Sequence, residues 1–308
     1  MTINQNITEF AGLPVVNFDP EVSPSAAPEA AAWRLSAEYD SSAEDFAALV
    51  ERFLATVDPA GVRALIIGQW GEAYETPAPI APLTDLASRL TGLQALFLGE
   101  MTFEECEISW IVQDDITPLI EAYPGLRVLR VRGATGLKLR PVRHSGLREL
   151  AIESGGLPAE VVRAVGAGNF PSLEWLELWL GTGDYGGDAT VDDLAPILVG
   201  DRLPALRRFG PRNAMIANEV AAALADAPIV ARLDTLDLSL GALSDTGANA
   251  LLAGQPLTHL RRLDLRHHYI GAELAARLVA ELPGVEVDLT ESQQVEPGEG
   301  RRYNAISE

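Results

Sequence analysis

The amino-acid sequence predicts an α/β solenoid, in which a curved parallel sheet lines the concave side and helices lie outside it. The strand pattern L-x-x-L-x-L is clearest in residues 173–179 (LEWLELW), and it recurs along the chain. Successive copies begin 21 to 33 residues apart, with helical periodicity between them. Each copy is therefore one strand–helix unit that cannot bury its apolar faces alone. Stacking of neighbouring units predicts one extended fold.

Residues 1–61 are predicted to form an N-terminal cap, because an open solenoid end would expose its core. Strands are predicted over 13–18 and 33–39, joined by a loop rich in Pro, Ala and Ser. Apolar residues recur three and four positions apart over 42–57, which predicts an amphipathic helix. Ser42 and Asp45 stand at the positions of a variant capping box at its start.

Residues 62–289 are predicted to form the solenoid itself. Its strands begin at Val62, Leu93, Leu126, Leu147, Leu173, Leu206, Leu233 and Leu260, and a weaker last copy ends at Leu289. Pro211 lies in the copy that begins at Leu206, and we expect a short strand there because proline lacks an N–H donor. Helices are predicted over 158–165, 191–198, 216–225, 248–253 and 272–282. The tail, residues 290–308, is predicted to be acidic and disordered.

Four further blocks of sequence accompany the repeats. They are residues 7–14 (ITEFAGLP), 68–72 (GQWGE), 104–110 (EECEISW) and 178–181 (LWLG). The repeats resemble the leucine-rich repeat superfamily, and most of the chain resembles a family of uncharacterised acidic bacterial leucine-rich repeat proteins. That resemblance implies a horseshoe-shaped solenoid and no catalytic residues. Genes of the family are reported near radical-enzyme genes, which implies an accessory role in a peptide- or metabolite-modifying pathway.

Composition restricts the partners and the compartment. A formal net charge of −21 repels nucleic acid and anionic membranes, so we expect neither as a partner. No apolar run is long enough to span a membrane, and the N-terminus has no signal-peptide pattern. Cys106 is the one cysteine and lies among glutamates that disfavour its thiolate, so we interpret it as structural. We expect the protein to reside in the cytoplasm.

Alternation along the strands predicts which side chains face the concave side. Trp175, Glu177 and Trp179 lie on that face, while the leucines between them point into the core. The neighbouring strand places Arg208 beside Trp175 and Arg212 beside Trp179. Trp and Arg are enriched in binding hot spots, and a stacked pair contributes roughly 0.5–1 kcal/mol when exposed. The alternative is a cluster that satisfies itself or is covered by a loop.

An acidic stripe follows on the next strands. Asp237, Asp264 and Asp288 occupy one position of successive strands, and Arg262 and Arg266 flank Asp264. The stripe is interpreted as an ion-pair ladder, a cradle for a basic partner group, or an oxygen-ligand site for calcium or magnesium.

The glycine-rich loop 181–188 is either a connector or a rim loop that completes the tryptophan site.

Signals for an enzyme are poor. The motifs H-E-x-x-H, G-x-S-x-G and C-x-x-C are absent, and His267 and His268 point opposite ways on a strand. We therefore expect no catalytic residue, no cofactor and no metal. The predicted function is non-catalytic binding of a protein or peptide through Trp175, Glu177, Trp179, Arg208, Arg212, Asp237 and Asp264. Two alternatives are an accessory subunit that meets an enzyme through rim loops, and a metal-dependent enzyme that uses the acidic stripe.

Overall fold

A computed structural model describes residues 3–24, 26–295 and 301–307. The chain forms two compact units, Thr2–Glu153 and Ser154–Ser307. Both units combine strands and helices, as the sequence predicts. The predicted domain boundaries at residues 61 and 289 stay predictions. Among the described residues, no helix is both long and apolar enough to cross a membrane.

The N-terminal unit contains a sheet whose strands pair in chain order. Its strands are β1 (Glu9–Phe10), β2 (Leu13–Asn17), β3 (Ala32–Leu35), β4 (Ala64–Ile67), β5 (Ala95–Leu98), β6 (Val128–Arg132) and β7 (Glu149–Glu153). β1 pairs antiparallel with β2, and each later pair within the unit is parallel. Its helices are α1 (Ala43–Thr56), α2 (Ile80–Asp85) and α3 (Thr117–Ala122).

Local sequence explains where α1 begins. The Ser42 side chain accepts the Asp45 N–H, and Asp45 accepts the Ser42 N–H at 2.8 Å, so the predicted capping box forms. Capping satisfies donors that have no partner inside the helix. Phe46 and Phe53 are among the side chains that α1 buries. The predicted helix over 42–57 is confirmed.

The L-x-x-L-x-L pattern sets the register of the N-terminal sheet. Leu65 pairs with Leu96, Leu96 with Leu129, and Leu129 with Leu150. All four side chains are buried. One leucine from each copy thus forms a continuous row in the core, which fixes strand register because a shift by one residue would expose the whole row.

The C-terminal unit repeats this arrangement with parallel strands. They are β8 (Trp175–Gly181), β9 (Arg208–Ala214), β10 (Thr235–Asp237), β11 (Arg262–Asp264) and β12 (Glu286–Asp288). The helices are α4 (Ala159–Ala167), α5 (Val191–Val199), α6 (Ala217–Leu224), α7 (Asp245–Ala253) and α8 (Ala272–Glu281). Successive helices pack against each other. Every helix predicted for this part of the chain is present.

The prediction of a short strand around Pro211 is wrong. β9 is 7 residues long, and Pro211 lies in register with Leu178 of β8. The ladder between β9 and β10 ends at Phe209, which pairs with Leu236. Proline therefore lies beyond the part of β9 that has strands on both sides, where its missing N–H is tolerated.

Residues 301–307 differ from the expected disordered tail, whereas residues 296–300 and 308 of that prediction lie outside the described residues. Residues 301–307 lie against the rest of the C-terminal unit, and Asn304, Ala305 and Ile306 are buried there. We call this segment the C-terminal strap. The Ala305 N–H donates to the Leu240 carbonyl at 2.7 Å. Apolar side chains near the end of the polar tail provide surface that can be buried. The average composition of residues 290–308 does not reveal them.

Candidate functional site

The candidate face is the side of the C-terminal sheet that bears Trp175, Glu177 and Trp179. Strand register arranges its side chains in three rows. The first row is Trp175, Arg208, Thr235, Arg262 and Glu286. The acidic row is Glu177, Gly210, Asp237, Asp264 and Asp288. The inner row begins with Trp179 and Arg212, and Ser239 and Arg266 follow two residues beyond the aspartates of the acidic row.

Both predicted tryptophan–arginine pairs are present. The guanidinium carbon of Arg208 lies 5.4 Å from the Trp175 ring centroid, and that of Arg212 lies 5.2 Å from the Trp179 ring centroid. These distances fall within the range of a cation–π interaction. Two strands that pair in register bring the partners together, as alternation along the strands predicts.

The two pairs differ in exposure. Arg208 is exposed and Trp175 is half-buried, whereas Trp179 is only 6% exposed and Glu177 only 4%. Trp179 and Glu177 are therefore buried where the sequence predicted exposure. The reason is a contact network: the Trp179 Nε1–H donates to Glu177 Oε1 at 2.6 Å, and Arg212 Nη1 donates to the same oxygen at 2.6 Å. A buried carboxylate needs such partners to remain charged.

Arginines neutralise the acidic row. Asp264, which is only 3% exposed, accepts hydrogen bonds from Arg262 Nη2 at 3.0 Å and from Arg266 Nε at 3.0 Å. Arg262 also donates to Asp288 at 2.6 Å. Arg212 Nε lies 3.3 Å from Asp237 Oδ2. This geometry corresponds to the ion-pair ladder among the three interpretations of the stripe.

Electrostatics in the acidic row are uneven. Burial raises the pKa of Asp237 above its ordinary value, and the Asp264 charge raises it further, while Arg212 and Ser239 act in the opposite direction. Among the described residues, no group of three or more His, Cys, Asp or Glu side chains is arranged to hold a metal ion.

His267 and His268 make separate contacts. His267 Nε2 lies 3.1 Å from the Tyr303 carbonyl oxygen, and His268 Nε2 lies 3.0 Å from the Leu289 carbonyl oxygen. His268 Nδ1 accepts the Ile270 N–H at 3.0 Å. The adjacent histidines thus hold the backbone around the last repeat.

The C-terminal strap lies beside the end of the inner row, and sequence reasoning missed it. The Ile306 N–H donates to Asn213 Oδ1 at 3.1 Å, and the Asn213 amide donates to the Ile306 carbonyl. Asn213 has a φ of 54°, a left-handed conformation that asparagine tolerates better than most residues. The Tyr303 N–H donates to the Tyr269 hydroxyl at 2.9 Å. The short run Asn304-Ala305-Ile306 is the only signal that the sequence offers.

The glycine-rich loop 181–188 has a connecting role. Asp188 Oδ1 accepts the Ala159 N–H at 2.7 Å at the start of α4. A Cβ on Gly181 would lie 1.9 Å from the Gly155 carbonyl oxygen, so this position requires glycine. Thr182 and Tyr185 also line a cavity of about 670 Å³ with the C-terminal strap. The loop is held at both ends, and its middle borders the strap.

In the N-terminal unit, a different segment covers the corresponding sheet face. Residues 3–10, which we call the N-terminal arm, lie across it. Glu100 Oε1 accepts the Ile7 N–H at 2.9 Å, and Arg34 Nη2 donates to the Ile7 carbonyl at 3.1 Å. Arg34 and Glu100 also form a buried ion pair. Burial raises the pKa of Glu100, against hydrogen bonds and arginine charges that lower it.

Apolar contacts fix the arm to this face. The rings of Phe10 and Phe97 lie 5.8 Å apart, in a cluster completed by Ala32, Ala64, Ile66 and Ala95. The guanidinium groups of Arg130 and Arg132 lie 5.6 Å and 5.2 Å from the Phe97 ring centroid. The face of this unit is therefore filled by the chain itself, so the C-terminal unit retains the more accessible candidate face.

Comparisons with known proteins support the fold class. No protein-family model and no curated protein matches the sequence. A crystal structure of a Bacteroides fragilis protein, a structural genomics target, matches with a TM-score of 0.78 and 29% identity, covering 89% of this chain and 76% of that chain. An internalin from Listeria monocytogenes matches with a TM-score of 0.31 and 15% identity, covering 77% of this chain and 76% of that chain. The second likeness is too low to carry an argument.

Proposed function

We propose that this chain is a leucine-rich-repeat-type solenoid that acts as a non-catalytic scaffold for a protein or peptide partner. The buried leucine rows and the strand–helix order of each unit support the repeat assignment. Repeat sheets offer an extended surface for such binding. A net charge of −21 favours protein over nucleic acid or anionic membrane as the partner, and the cytoplasm remains the expected compartment.

The observation that carries the proposal is the stack of exposed Arg208 on half-buried Trp175. Arg208 makes no ion pair with any residue that the structure describes, so its guanidinium edge is open to a partner. The pair lies in the first row beside Thr235 and Arg262. Trp and Arg side chains of this kind supply most of the binding energy in many interfaces.

The remaining predicted residues support this pair. Trp179, Glu177, Arg212, Asp237 and Asp264 contact one another or neighbouring arginines. The ion pairs of Arg212 join β8 to β9 and β9 to β10 beside the first row. The partner is thus expected to contact mainly Trp175 and Arg208, with Arg262 at the edge of the contact surface.

Peptide selection tests the proposal without knowledge of the natural partner. Peptides selected from a random display library on the wild-type protein should bind the Trp175→Ala/Arg208→Ala variant at least about tenfold more weakly. Arg207→Ala is the matched control, since Arg207 is an exposed arginine that directly precedes Arg208. Its variant should bind the peptides like the wild type. Equal binding to the double variant, or no enriched peptide, would argue against this site.

A further inference from the structure

Trp110 differs from the other tryptophans of this chain. The chain has five tryptophans, and four have partners inside the protein. These contacts are Trp33 with Pro28, Trp70 with Thr76, Trp175 with Arg208, and Trp179 with Glu177 and Arg212. Trp110 is 55% exposed, and no described residue bonds to its indole N–H or stacks on its ring. An exposed indole without a partner inside the protein is a feature of interaction surfaces.

A loop with internal hydrogen bonds and buried anchors presents this indole. We call residues 101–115 the acidic loop. The Cys106 N–H donates to the Thr102 carbonyl at 3.0 Å, and the Trp110 N–H donates to the Glu107 carbonyl at 2.9 Å. Ile108 and Ile111 on either side of Trp110 are buried. The position of Trp110 is therefore fixed by its neighbours, so its exposure is a property of the folded loop.

The loop that carries Trp110 is itself strongly negative. The acidic loop contains five carboxylates and no lysine or arginine. Asp115 is paired with Arg140, and Glu105 accepts the Thr102 N–H. Glu104 is exposed and Glu107 is half-buried, and neither side chain is paired with a described cation. Phe103, 37% exposed, is a second exposed aromatic residue of the acidic loop.

The chain itself shows what completes such a surface. Trp179 is covered by the guanidinium of Arg212, which also binds the adjacent Glu177 carboxylate. Trp110 and Glu107 stand one turn apart, joined by the Trp110 N–H donating to the Glu107 carbonyl, and no arginine of the described chain pairs with either side chain. We propose that the acidic loop is a second docking surface, separate from the first row, and that it binds a partner-protein segment that places an arginine over Trp110.

Charge selects this occupant over others. A second copy of a chain with net charge −21 would be repelled, and so would an anionic membrane. A guanidinium would be attracted by the carboxylates and could stack on the indole, because arginine combines a planar cation with a fork of donors. A neutral side chain of the same shape would lose the electrostatic part of this attraction.

The experiment compares selected arginine peptides with their neutral counterparts. Display libraries of nonapeptides with a central arginine and random flanks are selected on the wild-type protein. Each enriched peptide is then synthesised with arginine or with citrulline, its neutral isostere, and binding is measured by fluorescence polarisation. We expect citrulline and Trp110→Ala each to weaken binding at least tenfold. Glu104→Gln/Glu107→Gln should weaken it several-fold and reduce its salt dependence.

Matched controls separate this surface from the first row. Trp175→Ala/Arg208→Ala should leave binding of these peptides unchanged, and circular dichroism should confirm that Trp110→Ala is folded. The inference is overturned if arginine and citrulline peptides bind alike, if Trp110→Ala has no effect, or if no arginine peptide binds. It is also overturned if Trp110→Ala instead abolishes self-association in sedimentation, or binding to vesicles of phosphatidylserine and phosphatidylcholine.

Discussion

Arg212 Nη1 lies 2.6 Å from Glu177 Oε1, so strand β9 neutralises a carboxylate that strand β8 buries. The same oxygen accepts the Trp179 indole N–H, and the same arginine lies over the Trp179 ring. This relationship changes the role of residues that the sequence marked for binding. Glu177 and Trp179 help to hold two strands together, and the neighbouring row remains accessible.

Arg212→Ala should destabilise the protein strongly. It leaves buried Glu177 and partly buried Asp237 without a cation, and breaking a buried pair costs about 3–5 kcal/mol. The free energy of unfolding, measured by urea denaturation, should fall by that amount. Arg208→Ala is the control, because Arg208 is exposed, and it should cost less than about 1 kcal/mol. Similar losses in both variants would contradict the assignment.

Glu100→Ala should release the N-terminal arm. Glu100 is fully buried, accepts the Ile7 N–H and pairs with Arg34. Its loss leaves buried Arg34 without its carboxylate partner, which should lower the free energy of unfolding by about 3–5 kcal/mol. Hydrogen exchange of the Ile7 amide should also become faster in this variant. Glu104→Ala, an exposed control, should change neither quantity measurably. An unchanged exchange rate at Ile7 in the Glu100 variant would show that the arm is held by other contacts.

Asp237 should make stability depend on pH. Because burial raises its pKa in the folded state, the folded protein binds this proton more readily than the unfolded chain, whose ordinary value is 3.8. The stability that Asp237 contributes through proton binding is fully present below pH 3.8 and is lost as pH rises through the raised pKa of the folded state. The stability of Asp237→Asn relative to wild type should therefore increase from pH 4 to pH 8. Thermal unfolding across that range measures it, and a difference independent of pH would refute the expected shift.

Ile306→Ala should open the C-terminal strap. Ile306 is buried, and its backbone bonds to Asn213. Because the strap can detach locally, the effect on global unfolding is limited to the free energy of docking the strap. Tryptic cleavage after Arg302 should instead become about tenfold faster or more. Val279→Ala, on the exposed side of α8, is the control and should leave the cleavage rate unchanged.

Cys106 should react slowly with alkylating agents. Burial, together with the Glu107 charge, raises the pKa of its thiol from 9.0 to about 11. Since the thiolate is the nucleophile, alkylation by iodoacetamide at pH 8 should be roughly 100-fold slower in the folded than in the urea-unfolded protein. Glu107→Gln should accelerate the reaction modestly. Equal rates in the folded and unfolded protein would indicate an ordinary, accessible thiol.

Parts of the fold and of the candidate face could be predicted because they depend on local rules. The capping box at Ser42 and Asp45 needs two side chains three residues apart. The stacks of Arg208 on Trp175 and of Arg212 on Trp179 need only strand alternation and a common register, which the leucine pattern sets. Each of these relationships joins residues within one repeat or in adjacent repeats, so their relative positions can be worked out from the repeat pattern.

Other features could not be predicted because they depend on contacts outside the repeat. Pro211 predicted a short strand, yet the end of the neighbouring ladder at Phe209 allows β9 to continue. Alternation predicted Trp179 to be exposed on the sheet face, yet it is buried. That burial follows from the Arg212 guanidinium and the hydrogen bond to Glu177.

The sequence by itself determined the order of strands and helices in the C-terminal unit, the side of each repeat strand that enters the core, and the neighbours across its ladders. The physical reason is that apolar periodicity and capping act within one repeat or between adjacent repeats. Only the tertiary structure decided which parts of the strand face remain accessible. Contacts such as Ile7 with Glu100 and Asn213 with Ile306 span 93 residues each, and no local pattern encodes the docking of such distant segments.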